Sequence, residues 1–226
     1  GVYRIPTKGD YINSFAFLEE DGSVTLVDCG LKGAPPRILA ALASIGRRPA
    51  DVQRILLTHA HLDHCGYLPR LVKAGFSGTV HVTADTGRLM SVVLPDSARL
   101  QEEEAKFANR HGYSRHNPAL ALYTEADAWA ALDRLTLHAF GQPVEVAPWL
   151  EVTLQPAGHI LGSASALVRT ANGPTIRFSG DLGRGQHPLL RPPAPVGDVD
   201  YLLVESTYGD RRHADSHPED RLAELI

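Results

Sequence analysis

Sulfur, long apolar runs and an excess of one charge are all scarce in this sequence. Its 226 residues hold 2 cysteines and 1 methionine. Cys29 and Cys65 are not in C-x-x-C spacing, so no disulfide framework can form. One bridge is the most the chain can make, and a reducing, cytoplasmic compartment fits that usage best. No apolar stretch approaches the roughly 20 residues that cross a bilayer, and the opening residues show no basic region followed by an apolar run. The expectation is a soluble protein with no membrane partner. Its 22 Lys and Arg stand against 26 Asp and Glu, a net charge of -4, which argues against a nucleic-acid grip spread over the whole surface. The length predicts one large domain, residues 1–226.

The pattern along the chain predicts α/β wiring. "SFAFLEEDGSVTLVDCG" holds two apolar runs around Asp21-Gly22, a hairpin signal, and puts Asp28 at the end of a strand. "PPRILAALASIG" has helical spacing between prolines and Gly46, "VQRILLT" is a buried strand, "YLPRLVKAG" a helix and "GTVHVTA" a strand. A helical insertion is expected over about 86–138, with Thr124 and Asp127 as a capping box. Strand signals return in "PVEVAPWLEVTLQPA", "SASALVRTANGPTIRFSGD" and "VDYLLVEST". The chain opens on Gly1 rather than Met and closes on "HPEDRLAELI", which has the pattern of a helix, so a fragment of a longer protein is expected.

The chemistry concentrates in "LLTHAHLDHCG", residues 56–66. Positions 59, 61 and 63 alternate, so an extended backbone sends their side chains to one side, and His64 adds a donor where a helix begins. Two imidazoles can hold one ion while Asp63 and His64 face a neighbouring one. Zinc suits such mixed nitrogen and oxygen donors. The other histidines carry weaker signals. His81, His111, His116 and His138 lie in strand or helix contexts where packing or exposure is the default, and His187 sits in a surface loop. His213 and His217 stand in a charged segment, and Cys65 reads as a small buried residue.

"THAHLDHCG" resembles the signature of the metallo-β-lactamase superfamily. That resemblance implies an α/β fold, an αββα sandwich with a two-metal site at its strand ends. "PAGHILGSA" and "FSGDLG" place His159 and Asp181 after successive strands, where further donors are required. "AGHILGSA", "FSGDLGR", "PLL" and "VESTYGDRRH", with "DSARLQEEEAKFANR" and "LYTEADA", are similar to the β-CASP branch, RNA-processing nucleases that include bacterial RNase J and the endonuclease subunit of the polyadenylation machinery. The similarity covers residues 54–226. By position it implies two zinc ions, with His59, His61 and His159 on one, Asp63 and His64 on the second, and Asp181 bridging both. Asp28 would hydrogen-bond a ligand histidine and fix its orientation. Asp63 would orient the attacking hydroxide, and Glu205 would support a histidine that protonates the leaving group.

Two departures accompany this resemblance. "IPTKGDYINSFAFLEEDGSVTLVDCG" looks more like the opening of glyoxalase- or lactonase-type members. The β-CASP domain would begin near or after residues 205–226, and its later histidine motifs would lie beyond Ile226. The second zinc would then lack a histidine and Glu205 its partner, and bare apolar sheet would favour a homo-oligomer. The function implied is a zinc-dependent hydrolase cleaving RNA phosphodiester bonds, since a metal pair acidifies water and clamps attacking and leaving oxygens. Thioesters, lactones or β-lactams remain open as substrates, because the same chemistry attacks a carbonyl. A non-catalytic scaffold fragment also remains open.

Overall fold

The computed structural model describes residues 1–8, 12–19, 21–30, 35–211 and 222–226. His213, His217 and the first half of the closing "HPEDRLAELI" segment lie outside the described residues. Two sheets stack face to face. The first runs β1 (Val2–Lys8), β2 (Ile12–Leu18), β3 (Val24–Val27), β4 (Val52–Leu56), β5 (Thr79–Thr83) and β6 (Leu135–His138), in spatial as in sequence order. Its first three strands are antiparallel and the remaining pairings parallel. Helices make the parallel crossovers: α1 (Pro35–Ser44), α2 (Leu62–Cys65), α3 (Leu68–Lys73), α4 (Ala84–His111) and α5 (Glu125–Leu132).

The second sheet contains β7 (Pro143–Ala147), β8 (Leu150–Pro156), β9 (Ala164–Thr170), β10 (Thr175–Phe178) and β11 (Tyr201–Leu203), in the order β11-β10-β9-β8-β7. Only its β10–β11 pair is parallel. Adjacent buried residues of the first sheet serve different layers. Leu26 and Ile55 join the core beneath the helices, whereas Val27 and Leu56 join Val152, Leu154, Val168 and Phe178 between the sheets. Of the expected four layers, the described residues supply a helical layer and both sheets. Among them, no helix is long and apolar enough to cross a membrane.

Local chemistry explains several boundaries. Asp21 Oδ1 accepts from Ser23 N at 2.8 Å and Gly22 takes φ +84°, which closes the β2–β3 hairpin. The Thr83 hydroxyl caps α4 by accepting from Thr86 N, and Gly112 ends that helix with φ 68°. Thr124 and Asp127 form a reciprocal capping box on α5, with Asp127 Oδ2 accepting from Thr124 N at 2.8 Å. Arg54 ties the sheets together. Its Nη1 lies 2.9 Å from Glu19 Oε1 and its Nε donates to Val146 O at 2.8 Å. Both charges are thus paired where burial would otherwise penalise them.

The helical insertion expected over 86–138 needs correcting. Helix begins at Ala84 and ends at Leu132, and Leu135–His138 is strand β6, paired parallel to β5. A four-residue strand whose neighbour lies more than a whole helix away in sequence shows too little alternation to reveal itself locally. β1 is likewise a strand for which the sequence offered no signal.

Candidate metal centre

The donors sit on turns that leave the strands at one end of both sheets. β3 ends at Val27 and is followed by Asp28, whose φ of 55° is the only positive value among the described non-glycine residues. Aspartate tolerates this left-handed conformation better than bulkier residues. The turn aims its carboxylate under the next one: Oδ1 accepts from Thr58 N at 2.8 Å, and Oδ2 lies 2.9 Å from Thr58 Oγ1 and 2.8 Å from His64 Nδ1. β4 runs out through Thr58 into His59, buried, and His61, exposed, and α2 then delivers Asp63 and His64. Thr58 Oγ1 also lies 3.1 Å from His59 Nδ1, which leaves His59 Nε2 facing the cleft.

His159 stands in the turn between β8 and β9. The Ser163 hydroxyl accepts from both His159 N (2.9 Å) and Ile160 N (3.2 Å), fixing that turn. Asp181 follows β10. A Cβ on Gly180 would fall 2.8 Å from Thr58 Cβ, so glycine is needed for the Asp181 turn to close on the His59 turn.

These turns bring His59, His61, His159 and Asp181 together, with one ligand atom from each within 4.8 Å of the others. His61 Nδ1 is 3.2 Å from His59 Nε2 and 3.1 Å from His159 Nε2. Tetrahedral zinc with bonds of 2.0–2.1 Å would hold its ligand atoms about 3.3–3.4 Å apart. Nitrogens at this spacing, with a carboxylate oxygen beside them, therefore fit a small cation.

Asp181 divides its oxygens. Oδ2 lies 3.8 Å from His59 Nε2 and 3.5 Å from His159 Nε2, while Oδ1 is 3.3 Å from His64 Nε2. Asp63 Oδ2 reaches the same His64 nitrogen at 3.8 Å. His64 Nε2 thus meets Asp181 Oδ1 and Asp63 Oδ2, while the His64 ring also packs against His59 with centroids 4.0 Å apart.

Electrostatics follow from this packing. Burial, then the neighbouring His64 charge, hold His59 down to about 2, and burial followed by His159 lowers His61. For His64 burial opposes the charge, but Asp28 and Asp181 outweigh it and push the imidazole up to about 10. Burial would raise Asp181, yet the His64 hydrogen bond and charge bring it to about 2. A cation entering here would take the place of the His64 proton.

Glu205 is not among the converging donors. Its Oε1 accepts from Leu182 N at 3.1 Å and its Oε2 from Thr207 N at 2.9 Å. His187 Nδ1 accepts from Leu189 N and Leu190 N within its own turn. His81 Nδ1 and His138 Nε2 meet 2.9 Å apart, away from the cluster. Cys29 and Cys65 are free and buried, beneath the site. Thr58 and Ser163 are the residues that sequence reasoning missed. Thr58 stood beside His59 in the motif, but nothing in its sequence context revealed the Asp28 contact.

A family model described as the metallo-beta-lactamase superfamily matches residues 8–222. Ribonuclease TTHA0252 of Thermus thermophilus is 34% identical over 197 residues, 85% of this chain and 40% of that protein. Probable RNase MJ4 of Methanocaldococcus jannaschii is 31% identical over 202 residues, 88% of this chain and 43% of that protein. Transcription termination factor FttA of the same organism is 29% identical over 203 residues, 87% of this chain and 29% of that protein. The chain spans less than half the length of these curated relatives. Among solved structures, a metallo-beta-lactamase from Cronobacter sakazakii is similar with a TM-score of 0.53 at 23% identity, covering 79% of this chain and 60% of that one.

Proposed function

Because this chain belongs to the metallo-β-lactamase superfamily, we propose that it carries the catalytic centre of a zinc-dependent ribonuclease of the β-CASP kind. The single observation behind the mechanism is the division of Asp181 between His59 and His159 on Oδ2 and His64 on Oδ1. His59, His61, His159 and Asp181 Oδ2 would hold one zinc, and Asp63, His64 and Asp181 Oδ1 the second. When bound, such a pair makes water nucleophilic near neutral pH and neutralises charge on phosphate oxygens.

The chain's own residues do the rest. Asp28, an acceptor when ionised, keeps the proton of His64 on Nδ1 and leaves Nε2 to face the cleft. Thr58 holds Asp28 through two contacts and so fixes that relay. Asp63, partly exposed beside His64 Nε2, is the carboxylate available to orient the nucleophile, with Oδ2 facing the His64 side and its other oxygen free to take a proton. The choice of RNA rests on the relatives named ribonuclease and RNase. A cytoplasmic setting suits the two buried free thiols.

Substrate choice separates this reading from a glyoxalase- or lactonase-type activity. Purified protein loaded with zinc is offered single-stranded RNA, a thioester and a lactone. RNA cleavage lost on chelation and in His159→Ala supports the reading. Turnover of the carbonyl substrates alone overturns it.

A further inference from the structure

β10 and β11 run parallel, so the turns leaving their C-terminal ends lie side by side, one carrying Asp181 and the other Glu205. Three hydrogen bonds clasp them. Ser179 N donates to Leu203 O at 2.9 Å, Glu205 N to Ser179 Oγ at 3.0 Å, and Leu182 N to Glu205 Oε1 at 3.1 Å. Ser179 is buried, and its hydroxyl donates in turn to Gly180 O at 2.6 Å. The second Glu205 oxygen accepts from Thr207 N, so the carboxylate spans both turns. A carboxylate on a backbone N–H is among the stronger hydrogen bonds available to a turn.

The clasped N–H belongs to the peptide that joins Asp181 to Leu182. Gly180 is pressed against Thr58 on one side of Asp181, and Glu205 holds the peptide on the other. Asp181 has little room to turn between them, and its two oxygens must each reach a different imidazole group. The implied family role would have the Glu205 charge supporting a proton-donating histidine. The contacts here are hydrogen bonds that any suitably placed acceptor oxygen can make.

We propose that Glu205 is a positioning residue of the metal centre, holding Leu182 N–H so that Asp181 stays divided between His64 and the His59–His159 pair. This rests on the metal-binding reading above.

Zinc affinity and the absorption spectrum of the cobalt-substituted protein test it without reference to turnover. Glu205→Ala is expected to weaken zinc binding about 10–100-fold, the usual loss for partners behind metal ligands, and to alter the cobalt spectrum. Glu205→Gln keeps one acceptor oxygen for Leu182 N but turns its NH₂ toward Thr207 N, and is expected to lose clearly less affinity than Glu205→Ala and to alter the spectrum less. Ser179→Ala, which removes the hydroxyl accepting from Glu205 N, should weaken binding in the same direction by less, and it reads the clasp even if Glu205→Ala folds poorly. Thermal unfolding of the metal-free variants separates a general loss of stability from the effect on the site. Wild-type affinity and spectrum in Glu205→Ala overturn the proposal, as does Glu205→Gln as impaired as Glu205→Ala. A wild-type protein that takes up neither metal overturns the metal reading as well, and is distinguished by that.

Discussion

Asp28 Oδ2 lies 2.8 Å from His64 Nδ1, a contact that reaches from the end of β3 into α2 and decides which nitrogen of His64 faces Asp181. An ionised aspartate only accepts, so Nδ1 must donate, and it is Nε2 that gives up its proton and offers a lone pair when a cation enters. Asn at this position can keep Oδ1 on Thr58 N while its amide NH₂ faces His64, which reverses the imidazole's polarity. Asp28→Asn should therefore lower zinc affinity about 10–100-fold with little change in the unfolding midpoint, because Asn also tolerates the left-handed backbone. Calorimetric zinc titration checks this, and unchanged affinity would contradict it.

The two turns that bring His159 and Asp181 together touch through backbone. A Cβ on Gly183 would fall 1.7 Å from Gly158 O and 2.8 Å from His159 N, and Gly183 N itself donates to Ala157 O at 2.8 Å. No side-chain adjustment relieves such a clash. Gly183→Ala is expected to push the turns apart, lowering both stability and zinc content. A variant that binds zinc as tightly as the parent would show that these turns move independently.

His81 and His138 form a second imidazole pair, stacked with centroids 5.2 Å apart between β5 and β6. Burial first, then His138 and Arg54, hold His81 down to about 4 from the ordinary 6.5. The folded state therefore resists a proton that the unfolded chain accepts near pH 6.5, so the contribution to stability is full above 6.5 and is lost as pH falls toward 4. Replacing His81 with Gln should reduce the loss of stability over that window, measured by urea unfolding of the metal-free protein. An unchanged pH slope would contradict the assignment.

A cluster of residues able to hold a metal ion was legible because His59, His61, Asp63 and His64 crowd one short segment, and because His159 and Asp181 each follow a strand. What those residues meet was not legible. The Asp28–His64 contact depends on a left-handed residue and on β3 lying beside β4, and the Leu182–Glu205 contact joins turns separated by a long surface connection. Both are consequences of strand order, which local periodicity does not encode. The same limit hid β6, which is a strand only because β5 offers it a parallel edge. The helices behaved differently. Thr124, Asp127 and the apolar spacing of α1 act within one segment, so their signals survive in sequence alone.

The most direct test of the central claim is zinc content per chain after reconstitution and dialysis, by elemental mass spectrometry, for the parent protein and for Asp181→Ala. The account predicts close to two zinc ions in the parent and a clear drop in the variant, because Asp181 serves both sides of the centre. Zinc content near zero in the parent, or equal in the two proteins, would contradict it.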